Sequence, residues 1–67
     1  MGRAYKTIKI VRLPYFGLFG WVRQNVKTGK YFFTNKQNYI ICSGSYDWVI
    51  ECLLKDFPQA VLEDPQG

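Results

Sequence analysis

The sequence predicts an α+β domain in which an antiparallel sheet of three to four strands carries one C-terminal helix on one face. The order is ββββα, with a short final strand as an option. Three observations lead there. β-Branched and aromatic residues alternate with polar ones in short runs as far as Ser43, Gly, Asn and Pro punctuate those runs, and at Ser43-Gly44-Ser45 the apolar period changes from two to about 3.6 residues.

Tyr5 to Arg12 sets Lys6, Ile8, Ile10 and Arg12 against Tyr5, Thr7, Lys9 and Val11, the alternation of a strand. Leu13 to Gly20 then reads as a connection with no charge and three aromatics, Tyr15, Phe16 and Phe19. Trp21 to Val26 and Lys30 to Thr34 form a hairpin around Val26-Lys27-Thr28-Gly29, where Gly29 takes the positive φ of a type I turn with a G1 bulge. That turn puts Trp21, Arg23 and Asn25 on the same side as Tyr31 and Phe33, and a one-residue change of register would exchange the faces. The polar stretch Asn35 to Asn38 leads into a fourth strand, Tyr39 to Ser43.

Ser45 is the expected N-cap of a helix from Tyr46 to Asp56, with Asp47 in the first turn and Pro58 as the stop. Helical spacing collects Tyr46, Val49, Ile50, Leu53, Leu54 and Phe57 on one face, and Asp47, Glu51 and Lys55 on a solvent stripe. Trp48 lies outside both groups, so either the terminal segments cover it or it is exposed. Ala60-Val61-Leu62 suits a short edge strand. The ordered core is expected over about residues 5–62, with Glu63 to Gly67 frayed.

A chain of 67 residues makes one domain and buries only about 60% of its unfolded surface, so its 18% aromatic content must supply most of the core. Met1 to Ile10 interleaves Arg3, Lys6 and Lys9 with short apolar steps and does not form an export signal. Leu13 to Val22, broken by Pro14, Gly17 and Gly20, is too short to span a bilayer. A cytoplasmic protein without membrane contact is therefore expected, with Cys42 and Cys52 as two small buried thiols rather than a disulfide.

Charge is strongly segregated. The first 36 residues hold eight basic and no acidic side chains; the remainder holds one basic and five acidic ones. A basic half attracts nucleic acid or an acidic protein surface, although sheet and helix could also complement each other within the monomer or between copies.

Catalysis is disfavoured on chemical grounds. The chain has no His, the cysteines have no candidate base and no CxxC spacing, and Gly17-Leu18-Phe19-Gly20 lacks the lysine and context of a phosphate loop. No metal site, cofactor or catalytic residue is assigned. The leading reading is a nucleic-acid-binding module, with Arg12, Arg23, Lys27, Lys30 and Lys36 on phosphates and Trp21 or Tyr31 against bases or sugars. The aromatics of the sheet could equally pack beneath the helix. The rival reading is a protein-binding adaptor or inhibitor, of the kind phages and mobile elements encode. It would dock on a larger protein complex through Tyr15, Phe16, Phe19 and Trp48. The same connection could instead fold over the sheet edge as core. A homodimer through an exposed strand is compatible with both readings.

Over Trp21 to Leu54, the element order and the punctuation Trp-Val-Arg, Thr-Gly-Lys and Gly-Ser-Tyr resemble small DNA-binding domains of the plant AP2 type and of tyrosine-recombinase N-terminal arms. The resemblance implies a three-stranded sheet, backed by a helix, entering the major groove. It also implies several Arg on the base-reading strand, where this chain has Arg23 alone.

Overall fold

The structure, a computed structural model, describes residues 4–65. Five strands and one helix follow in the order β1 (Tyr5–Leu13), β2 (Gly17–Asn25), β3 (Tyr31–Asn35), β4 (Ile40–Gly44), α1 (Tyr46–Asp56) and β5 (Val61–Glu63). All pairings are antiparallel and the sheet order is β4-β3-β2-β1-β5. The sheet has five strands rather than three or four, the fifth being the optional short strand expected at Ala60 to Leu62, here over Val61–Glu63. β5 pairs with β1 through Ile10–Glu63, Val11–Leu62 and Arg12–Val61.

Each hairpin turn follows from its residues. Leu13 to Gly17 is a tight turn, with Phe16 N–H donating to Leu13 O at 3.2 Å and Gly17 at φ +75°. Pro14 presets the backbone there, so the long connection expected from Leu13 to Gly20 is a hairpin whose second half belongs to β2. Asn35 to Tyr39 closes the same way, with Asn38 at φ +68°.

The β2–β3 turn departs from expectation by one residue. Asn25 N–H donates to Lys30 O and Gly29 N–H to Asn25 O, which makes a four-residue loop in place of a three-residue one. The Asn25 side chain is the cause: its Oδ1 accepts from the backbone N–H of both Lys27 and Thr28, and so fixes Asn25 as the last strand residue. Gly29 still takes the positive φ, at +78°. The longer loop pairs Trp21 with Thr34, Val22 with Phe33, Arg23 with Phe32 and Gln24 with Tyr31. Trp21 and Arg23 therefore share a face with Phe32 and Thr34, while Tyr31 and Phe33 lie on the opposite face, contrary to the three-residue reading.

The helix forms over the expected residues. Ser45 Oγ accepts from Trp48 N–H at 3.2 Å, and Phe57 N–H closes the other end on Leu53 O. It packs on β3 and β4 and buries Val49 and Leu53 against Val11, Val22 and Phe33. Phe19 and Phe57 extend this core at ring separations of 4.6 Å from each other and 5.8 and 6.4 Å from Phe33. Leu54, expected on the core face, is exposed. Gly20 lies close against the β3 backbone: a Cβ there would lie 1.9 Å from Thr34 O.

The segment after the helix is better anchored than its composition suggests. Glu63, expected to fray, is the last residue of β5 and accepts from Arg12 Nε at 2.7 Å, and Asp64 pairs with Lys9. That hydrogen bond is the main cause of the raised Lys9 pKa. Gln66 and Gly67 lie outside the described residues. No helix among the described residues is long and apolar enough to cross a membrane.

Candidate nucleic-acid interface

The helix closes one face of the sheet and leaves the other open. Cross-strand neighbours on an antiparallel sheet project to one side. The open face therefore carries the row Thr7–Arg23–Phe32–Ser43 and, beside it, the row Ile10–Trp21–Thr34–Ile40. Tyr5, two residues before Thr7, extends the first row toward the β2–β3 turn.

At the centre the Arg23 guanidinium lies over the Trp21 ring, 4.7 Å from its centroid. Arg23 Nη1 donates to Asn38 Oδ1 at 3.1 Å across the end of the neighbouring hairpin. Arg23 Nε is buried with no hydrogen-bond partner, as is Thr34 Oγ1 below Trp21. Phe32 is buried edge-on beneath Tyr5, with centroids 5.2 Å apart at 80°. Tyr5, Lys6, Thr7 and Arg23 line a 470 Å³ hollow with Ala4 at this end of the sheet.

The exposed lysines of the β2–β3 turn stand at the same end. Lys27 is fixed by the Asn25 cap, Lys30 N–H donates to Thr28 Oγ1 at 3.3 Å, and Gln24 Nε2 reaches Gly29 O at 3.2 Å. Among the described residues, Glu63 is the one carboxylate that the strand register assigns to the open face, and Arg12 pairs with it. Asp47, Glu51 and Asp56 are on the helix, on the other side of the sheet.

The residues singled out from sequence thus fall into separate places. Trp21, Arg23, Lys27 and Lys30 converge on the open face and its turn. Arg12 is on this face but engaged with Glu63. Lys36 is at the opposite end, lining a 430 Å³ hollow with Leu13, Phe16, Leu18, Phe19 and Phe57. Tyr31 is on the helix side, edge-on to Tyr46 with centroids 5.2 Å apart. Tyr15 and Phe16 project from the β1–β2 turn at 90% and 79% exposure, whereas Phe19 belongs to the core. Tyr5, Phe32, Lys6 and Asn38 join the surface without having been singled out. For Phe32 the signal was Asn25, whose capping side chain sets the loop length and hence the face.

The thiols face the helix side. Both are free and half-buried rather than buried as expected; Cys42 Sγ donates to Val49 O at 4.0 Å, and partial burial, with a contribution from neighbouring Cys52, pushes its pKa up to about 12. A protonated thiol is a poor nucleophile and a poor metal ligand. Among the described residues no three His, Cys, Asp or Glu side chains come together as a metal site would require. The chain matches no protein-family model, no curated protein and no solved structure.

Proposed function

We propose that the protein is a non-enzymatic module that binds nucleic acid on the helix-free face of its sheet, with a preference for single strands. The observation that carries this reading is the Trp21–Arg23 stack beside the Tyr5–Phe32 pair, on a face whose carboxylate is already neutralised. Unpaired bases stack on such aromatic surfaces with about 1–3 kcal/mol each, largely independent of sequence. Lys27 and Lys30 stand at the same end of the face and meet phosphates, and Lys6, whose register with Gln24 sets it on the helix side, contributes from the rim of the hollow it lines with Thr7 and Arg23, while Arg23 offers its remaining donors to a base edge or phosphate. A duplex, with its bases already stacked, gains only the phosphate contacts.

Fluorescence anisotropy of labelled single- and double-stranded oligonucleotides, titrated at several salt concentrations, tests this. Four cationic contacts give a logarithmic salt slope of roughly −3 for a single strand. Replacing Lys27 and Lys30 together with Gln should weaken binding and flatten that slope by roughly one unit or more. Absence of binding at low salt, or an unchanged slope in the double variant, would overturn the reading.

One observation favours a second reading, docking on a larger protein: the exposure of Tyr15 and Phe16 at a hairpin tip beside a 240 Å³ cleft lined by Leu13, Pro14, Phe57 and Pro58. Phe16→Ser should then abolish partner capture without lowering thermal stability. Retained capture would remove the tip from consideration.

A further inference from the structure

The two edges of the sheet are built differently. β5 is three residues long, ends in Glu63, and is followed by Asp64 and Pro65, all features that discourage another strand from pairing. β4 has none of these. From Gln37 to Tyr46 there is no charged residue and no proline, and Tyr39, Ile40 and Ile41 are exposed at 68%, 63% and 40%. The helix extends this apolar flank. Gly44 has no Cβ, and one built there would meet Trp48 Cδ1 at 2.8 Å, so the indole lies directly against β4 and is still 55% exposed. Cys52, one turn further on, neighbours Cys42 of the same strand. Trp48, Glu51, Cys52, Lys55 and Asp56 enclose a 270 Å³ hollow on this side of the helix.

We infer that the β4 edge and the Trp48 side of α1 form a twofold interface with a second copy of this chain. The edge is open and the charge pattern selects the occupant. Basic strands and turns of one copy repel those of another, and the uncharged run from Gln37 to Tyr46 is free of that repulsion. Glu51 and Lys55 are the charges beside it on the helix, four residues apart. A twofold axis near Cys42 and Cys52 runs the two helices antiparallel, so Glu51 of each copy faces Lys55 of the other, and Trp48 of each approaches the hollow beside Cys52 of the other. An antiparallel strand edge is self-complementary about the same axis. β4 carries a bulge at Ile41, between the Phe33–Cys42 and Thr34–Ile40 pairs, which keeps the backbone pairing short. Side chains therefore supply most of the contact. The dimer does not depend on nucleic-acid binding, because it lies along the β4 edge and takes only Ile40 from the open face, leaving Trp21 and Arg23 uncovered.

Sedimentation velocity over a concentration series tests it, with circular dichroism confirming that each variant is folded. The wild type should pass from monomer to dimer as concentration rises. Ile40→Lys, at a site already exposed in the monomer, should weaken association at least tenfold, as should Glu51→Lys and Lys55→Glu separately. An equimolar mixture of the two charge variants, and the double variant carrying both, should recover most of it. A wild type that stays monomeric into the high micromolar range would overturn the interface. So would a dimer indifferent to Ile40→Lys and lost instead on Phe16→Ser. A failure of the mixture to recover association would overturn the antiparallel helix arrangement on which the choice of a second copy rests.

Discussion

Phe32 and Phe33 are neighbours in one strand and end on opposite faces of one sheet. Phe33 meets Val22, Phe19, Phe57 and the helix in the closed core; Phe32 lies beneath Tyr5 beside an arginine stacked on a tryptophan. The difference between an aromatic under the helix and one packed on the helix-free face is here a matter of parity along the strand. That parity is set by whether the β2–β3 loop has three residues or four. A side-chain amide, Asn25, decides the loop length and thereby which aromatics lie on the helix-free face.

The sharpest way to break the comparison is to truncate one aromatic on each face. Phe33→Ala should cost about 3–5 kcal/mol, enough to unfold much of so small a domain, and thermal denaturation would show it. Trp21→Ala should cost about 1 kcal/mol in stability, yet weaken single-strand binding by about 1–3 kcal/mol, which is roughly five- to 150-fold. Equal loss of stability in both variants would mean that the open face is a second core. Asn25→Ala removes the turn cap and should lower stability by about 1 kcal/mol. Because the four-residue loop then loses its lock, binding should fall further than that stability loss explains. The smallest effect concerns the thiols. With its pKa near 12, Cys42 remains protonated at pH 8, so iodoacetamide should leave it unmodified in the folded protein and label it on unfolding. Above pH 9, where an unfolded thiol ionises and the folded one does not, Cys42 makes stability fall as pH rises.

Much of the fold was legible because it rests on local chemistry. The helix runs over the residues that its period, the Ser45 cap and Pro58 define, and the strands sit where β-branched residues alternate. What was not legible depends on distance. The pairing of β5 with β1 links residues about fifty positions apart, and nothing in Val61-Leu62-Glu63 names its partner. Leu13 to Gly20 read as a loop because three glycine or proline residues interrupt it. Yet Pro14 and Gly17 shape a two-strand turn, and Gly20 admits close backbone approach within β2. Of the candidate surface, Trp21, Arg23, Lys27 and Lys30 were identified from the acid-free first half of the chain. Tyr31 was assigned to the wrong face because the loop was counted one residue short, and Phe32 was missed for the same reason; Tyr5 depends on the β1–β2 register, which breaks between Thr7 and Lys9.

The most direct test of the open face uses its own fluorophore. Trp21 and Trp48 are the two tryptophans of the chain and lie on opposite sides of the sheet. In a Trp48→Phe variant emission reports Trp21; in Trp21→Phe it reports Trp48. A single-stranded oligonucleotide added at low salt should quench Trp21 strongly and leave Trp48 nearly unchanged. Quenching of Trp48 with Trp21 silent would place the ligand on the helix side and contradict the account.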